Sequence, residues 1–531
     1  MPQNHRLYPL LMKPGIQRDG TLFQSDTCID GQWMRFQRGK PRTMGGYVAI
    51  QGQYYSPPAI NLMTFSSQGN FFWVVNQRGA NESGYVFMYQ GNEKFFQSFT
   101  FGDAKGGYWL FDGPVSYKGT PHFLINYVRD WSDILSGAAC QLYLVPLIKN
   151  YNMTGKEQIK LEIKDERGQH LMLNGGMRLI PPYLFVWGMN GEVAWSSPSD
   201  IKNFSPQDAE GHPTGAARIT ISNDKVIQGY PIRAGAQSPA VLFWTLNSLV
   251  RVLNVGVEGI SFKADVISKN VSILSRLSVV EYDGLFFWPG TDRFFVYNGT
   301  VQEVPNTLNL NWFFDHVDMS RRQQVVGVRN QKYGEIWWFY PDKRDEKPYN
   351  TRALIYNKRE NTWYDTKINR DAAWYDDTSG ILFAAGQSLA EDGKWQVWQH
   401  EQGTVGQDYQ RNVFPIPASL QTPVISWAAV GPQKEDIGLD RLITLERIEP
   451  DFILSKGVPQ ENAPPSVNVA IKTKEYAQSI ERTSVIQTPI TPQTEKITTT
   501  ISARQMSLVF SSEDAFEMGH PLLQFDVGAT Q

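Results

Sequence analysis

Two cysteines in 531 residues, Cys28 and Cys140, are too few and too far apart for a disulfide framework or a zinc site, and point to a reducing site of synthesis. Histidine is scarce too. The seven, at 5, 122, 170, 212, 316, 400 and 520, never fall at the i, i+2 or i, i+4 spacing of a metal pair. The longest early apolar run, Leu10-Leu11-Met12, is shorter than a signal-peptide core, and no run reaches the length of a membrane-spanning helix. There is no Gly-x-Ser-x-Gly elbow, His-Glu-x-x-His pair, phosphate loop or dinucleotide fingerprint. The expectation is a non-enzymatic chain with no cofactor, no metal and no catalytic residue.

Charge excludes less. The net charge of −3 argues against a nucleic-acid clamp. Residues 1–50 nevertheless carry seven Lys/Arg against three Asp, and residues 426–531 nine against fourteen acids. Arg35, Arg38, Lys40 and Arg42 alternate with Trp33 and Phe36. That pattern suits either a strip pairing phosphates and stacking bases or, more simply, a first strand with a basic solvent edge.

What is abundant is aromatic and turn-forming. Aromatics make up 13% of the chain, with 44 Gly and 31 Pro. The stretch 279–305, VVEYDGLFFWPGTDRFFVYNGTVQEVP, reads as three short strands separated by turns at Asp283-Gly284, Pro289–Asp292 and Asn298-Gly299. Its strands are apolar on both faces, so each side needs another sheet. Similar strand-turn-strand units begin at Phe71, His122, Tyr183, Val241, Leu285, Glu335 and Ile381, spaced 44 to 61 residues apart. That is the period of a β-propeller of about seven blades.

After Gln410 the repeat stops, prolines 415, 417 and 423 mark a linker, and period-two strands follow at 441–448, 467–471, 496–501 and 505–510. The fold expected is all-β: an N-terminal arm (1–45), a β-propeller (46–412) with a possible insertion at 149–176, and a C-terminal β-sandwich-like domain (413–531). Residues 196–218 form a long polar loop, of the kind that contacts partners.

Two acidic features invite a catalytic reading. Ser388–Trp395 approaches the sialidase aspartate box, but Asp392 directly precedes Gly393, and a hairpin turn explains it more simply. Asp376-Asp377 and Glu435-Asp436 read as solvated loop charges.

At 224–231 (DKVIQGYP), 242–245, 273–289, 292–305 and 349–365, and in the Trp33–Tyr47 opening, the chain resembles the tail-tube nozzle (hub) proteins of short-tailed bacteriophages, including packaged-DNA stabilisation proteins. The residues carrying the resemblance are Trp33, Arg35, Phe36, Gly45, Gly46, Trp244, Asp283, Gly284, Trp288, Asp292, Tyr297, Asn298, Gly299, Trp338, Tyr356 and Trp363. They are structural motifs and cover about residues 20–400.

The resemblance implies a virion tail component, assembled in the host bacterial cytoplasm as a hexameric ring below the portal and its adaptor. Such a ring retains the packaged genome, passes double-stranded DNA without reading its sequence, and meets tail fibre, spike or tip proteins. Two other classes remain open: a carbohydrate-binding or sialidase-like propeller, and a protein-interaction scaffold.

Overall fold

The protein is described by a computed structural model covering residues 5–21, 25–50, 59–77, 85–91, 93–99, 107–129, 141–148, 157–159, 173–233, 235–257, 260–388, 394–430, 441–458, 463–476 and 478–530, with 163, 168 and 171 as single positions. Six four-stranded antiparallel sheets follow one another along the chain, and a seventh, six-stranded sheet completes the series. Blade one spans 59–99, blade two 107–159, blade three 176–220 and blade four 226–269. Blades five and six span 280–303 and 326–367.

Each start recognised in the sequence is the second strand of its blade, so seven is the blade number. Two of those strands, Ala240–Thr245 and Glu335–Tyr340, are buried at every position. A strand flanked by neighbours within its sheet and by sheets on both faces has no polar side to show, hence the continuous aromatic runs.

Blade five illustrates the local logic. Val280–Tyr282, Leu285–Pro289, Phe294–Tyr297 and Val301–Glu303 form its four strands. Asp283 and Gly284 turn between the first two with φ of 53° and 76°. Two positive φ values match the twist of the flanking strands, which is why Asp-Gly stands there.

The ring closes with strands from both ends of the chain. Blade seven takes Ala372–Asp376, Ile381–Gln387 and Trp395–His400, then adds Tyr47–Ala49 as its fourth strand, with His400 opposite Tyr47 and Trp398 opposite Ala49. The approach is close at Gly46, where a Cβ would lie 2.2 Å from the Val405 carbonyl oxygen. On the inside, the first strands of blades seven and one pack together.

Side chains also cross the axis. Arg276, just before blade five, donates from Nη1 to the Tyr108 hydroxyl of blade two (3.3 Å) and from Nε to the Ile227 carbonyl of blade four (2.9 Å).

The first 45 residues are not a separate arm. His5–Pro9 pairs with Leu522–Thr530, Asp30–Gln32 with Ala418–Gln421, and the hairpin Met34–Gln37/Lys40–Thr43 joins Ala515–Met518. The three sheets after residue 412 are therefore built from both termini, around a core that mixes Ile16, Cys28, Trp33, Met34 and Phe36 with Leu420, Phe510 and Phe525. Strand pairing between residues some 400 positions apart has no local signature, so an arm was the natural expectation.

Within the stretch 149–176, where an insertion was expected, Glu157–Ile159 is the fourth strand of blade two, paired with Leu142–Leu144. Most of the remaining positions of that stretch, with Cys140, Asp392, Gly393 and Glu435-Asp436, lie outside the described residues. Cys28 is fully enclosed, and burial pushes its thiol up to about 12, which keeps it unreactive.

Candidate functional site

The densest polar chemistry lies where the N-terminal segment crosses blades six and seven. Arg18 reaches Asp365 of blade six (Nε to Oδ1, 2.9 Å) and Asp30 (2.5 Å). Burial pushes the Asp365 carboxyl up, and Arg18 partly offsets this. Trp33 donates its backbone N–H to the Thr366 hydroxyl at 3.0 Å and sets its ring edgewise on Tyr47 and Trp337.

Arg35, 1% exposed, is the centre of this seam. Its guanidinium grips Glu335 through Nε and Nη2 (2.8 and 3.0 Å) and Glu401 through Nη1 and Nη2 (2.9 and 2.5 Å). Glu335 also accepts from the Tyr364 hydroxyl (2.6 Å) and the Trp337 indole (2.9 Å), while Asn330 donates to both glutamates at 3.1 Å. Tyr333 covers the guanidinium face at 3.6 Å. Burial alone would depress the Arg35 pKa, but the two carboxylates hold it well above its ordinary value.

This departs from the phosphate-and-base strip, and takes Arg35 out of the basic solvent edge, which Arg38 and Lys40 keep. Trp33 and Phe36 are buried, so no aromatic is offered to a base, and Arg35 faces neither phosphate nor solvent. Only Arg38 and Lys40 are fully exposed.

Beside this box lies a cleft of about 350 Å³ between blade seven and the terminal sheets, lined by Arg370, Lys367, Gln32, Gln387 and Ser388 among others. Arg370 is 3% exposed, and its Nε donates to His400 Nε2 at 2.8 Å. The imidazole must therefore be neutral and accept at Nε2. Burial first, then the charges of Arg370 and Arg35, hold His400 well below its usual value near 6.5. Burial pushes the adjacent Asp371 carboxyl up to about 7, although the Asn350 N–H (2.8 Å) and Trp395 indole (2.6 Å) donate to it.

The two groups load stability in opposite directions. An unfolded chain protonates His400 near pH 6.5 while the folded chain resists, so its share of stability is complete above 6.5 and is lost as pH falls. Asp371 keeps its proton in the folded chain, so its share is present in acid and is lost as pH rises towards about 7. Asp371 is common to both proteins in a comparison of wild type with His400→Gln. From about pH 6.5 to 5 the wild type should lose stability relative to the variant, by up to about 1.4 kcal/mol per pH unit. Urea midpoints across that range check this, and a constant difference would mean the fold does not keep His400 neutral.

The remaining tryptophans and tyrosines of the resemblance sit between blades. Trp338 and Trp363 of blade six stack at 6.0 Å and donate to carbonyls flanking blade five, at Ser278 (2.8 Å) and Pro305 (2.9 Å). Tyr356 packs on Trp363 at 4.6 Å. Trp244 of blade four meets Trp288 of blade five edgewise at 5.5 Å, and Tyr297 is buried in the same cluster. Gly45 donates to Glu401 at 3.2 Å. Asp292 pairs with exposed Arg293, and Asn298-Gly299 forms a surface turn. These positions join into no single pocket.

Sequence reasoning passed over Glu335, Glu401 and Arg370. A Glu opening an otherwise aromatic strand (EIWWFY) was the one available signal. Of the near-box at 388–395, Ser388 lines the cleft and Trp395 holds Asp371. Asp208, Glu210 and His212 cluster in the exposed 196–218 loop, where Asp208 is held low mainly by the His212 backbone N–H.

A second kind of surface lies in the terminal sheets. Arg482–Val485 is exposed at every position and ends a sheet, paired on one side with Asn468–Lys474. Around its hairpin, Tyr476 is 61%, Ile480 90% and Val485 64% exposed.

No protein-family model matches the chain, and no curated protein matches it. Among solved structures, the chain is similar to BBS1N, solved in complex with ARL6DN, at 11% identity and a TM-score of 0.39, covering 67% of this chain and 98% of that one. It is similar to BamB from Moraxella catarrhalis at 11% identity and 0.35, covering 70% and 97%, and to Saccharomyces cerevisiae Sqt1 at 10% and 0.36, covering 70% and 100%.

Proposed function

We propose that this chain is a non-catalytic scaffold that binds other protein chains, presenting its terminal β-domain on a rigid propeller. The observation that carries the reading is the open strand Arg482–Val485 with exposed Tyr476, Ile480 and Val485 at its hairpin. Unpaired edge N–H and C=O groups invite another strand, and monomeric proteins usually blunt such edges. Here Val485 on the strand and Tyr476 and Ile480 at its hairpin stand exposed beside polar Thr483 and Ser484 and the Arg482–Glu475 ion pair.

Within this class the tail-nozzle subunit is the finer reading. Its support is the sequence resemblance over residues 20–400, together with the exposed Tyr476, Ile480 and Val485, since permanent ring contacts bury apolar side chains. The axis crossing at Tyr108–Arg276 means that any DNA path would run through a ring of copies, not through one propeller.

Native mass spectrometry and negative-stain imaging of the full chain, with and without Ile480→Asp and Val485→Lys, test both levels. Six-fold rings that the substitutions dissolve support the nozzle. A monomer that also captures no added partner through this hairpin, with wild type and variants alike, would remove the scaffold reading.

A further inference from the structure

Among the described residues, Arg370 is an enclosed cation without a counter-ion. Its Nη1 donates to the Asn369 carbonyl at 2.7 Å and its Nε to neutral His400, while Nη2 is buried with no hydrogen-bond partner. Among the described residues no carboxylate lies within ion-pair distance. Neighbouring Asp371 is instead turned to the Asn350 amide and the Trp395 indole. Tyr47 and Trp398 flank the guanidinium with centroids 4.6 and 5.4 Å from Cζ. The Tyr47 phenol is close enough to favour the charged form, yet burial prevails and pulls the Arg370 pKa down to about 10.

The cleft that Arg370 lines is built to the same sign. Lys367 stands exposed among the lining residues, with Gln387 and Ser388 supplying amide and hydroxyl groups. Among the described lining residues there is no Asp or Glu. Gln32 is fixed in place by a reciprocal pair of 2.9 Å bonds with the Lys367 backbone. A guanidinium held in place with one nitrogen unsatisfied, beside a cleft with no acid among its described lining residues, is the chemistry that recognises a planar or tetrahedral oxyanion.

We infer that the cleft between blade seven and the terminal sheets is a binding site for a small oxyanion, a carboxylate or phosphate group, received by Arg370 with Lys367 at its mouth. The aromatic flanks and the neutral imidazole hold the guanidinium in position, but they do not neutralise it. That task is left to the ligand. At about 350 Å³ the cleft admits a small molecule or one anionic side chain, not a polymer. The inference does not depend on the scaffold reading, since a monomer and a ring subunit present the same cleft.

Isothermal titration of the full chain at low ionic strength, with inorganic phosphate in one arm and succinate in the other, tests it. At least one should bind saturably with one site per chain, and the preferred arm separates phosphate from carboxylate ligands. Lys367→Gln, at an exposed position, should weaken binding by about tenfold while leaving the unliganded thermal midpoint unchanged.

Arg370→Gln should abolish binding, but that protein is at risk of misfolding. Ser388→Asp therefore serves as the second variant, because it places a carboxylate inside the cleft. It should eliminate binding and raise the thermal midpoint of the unliganded chain. Absence of saturable heat with both probes would overturn the assignment. So would binding that neither Lys367→Gln nor Ser388→Asp alters.

Discussion

Arg35→Met is expected to destabilise the folded chain by about 3–5 kcal/mol, the usual cost of removing one partner from a buried ion pair. The cause is what remains rather than what is lost. Glu335, fully enclosed, and Glu401, nearly so, would face each other across the shared Asn330 amide with no cation between them. Guanidinium chloride unfolding followed by tryptophan fluorescence measures the loss, and a value under about 1 kcal/mol would mean the box is not a closed ionic unit.

The triple variant Arg35→Met, Glu335→Gln, Glu401→Gln separates the two contributions. Neutralising the stranded carboxylates should recover a large part of the deficit, because neighbouring sites in one network do not add. Recovery would be incomplete, since Tyr364 and Trp337 donate to Glu335 and a glutamine accepts through only one oxygen.

The second large effect concerns the termini. A fragment of residues 413–531 is expected not to fold by itself, although the sequence marks it as a domain. Of the four-stranded sheet containing Phe452–Ser455 and Ala515–Met518, two strands come from residues 34–43. Its core also loses Ile16, Trp33, Met34 and Phe36, all buried. At roughly 1.5–3 kcal/mol for each buried side chain, that loss is comparable to the whole stability of an ordinary domain.

Amide dispersion in a two-dimensional NMR spectrum reads the outcome directly. The fragment alone should give a collapsed spectrum, and a synthetic peptide of residues 1–46 should restore dispersion in trans. A well-dispersed fragment without the peptide would show that the N-terminal strands decorate the domain instead of completing it. Deleting residues 1–49 from the whole chain should do more damage still, because Tyr47–Ala49 is the closing strand of blade seven.

Particular elements show why some of this was legible and some was not. FFWVV, LFFWP and EIWWFY announced buried strands because burial on both faces removes the polar alternation, and Asp283-Gly284 announced its turn because few other pairs tolerate two positive φ values. Arg35 misled because its basic neighbours Arg38 and Lys40 really are exposed. Its carboxylate partners stand 300 and 366 positions away, and no periodicity reaches that far. Arg370 gave no signal at all. An arginine before a strand usually faces water, and only the packing of Tyr47 and Trp398 on either side encloses it.

The sequence by itself determined the repeating blade, a count of about seven and the change to period-two strands after the linker, because each depends on residues a few positions apart. Tertiary structure alone decided that the first 49 residues close the ring and complete the terminal sheets. It also decided that one arginine of the basic run is clamped by two glutamates while Arg370, in the neighbouring cleft, meets a neutral imidazole and a carbonyl but no carboxylate among the described residues. Charges are paired or stranded by distance in space, and a chain that returns on itself after hundreds of residues sets those distances only when it folds.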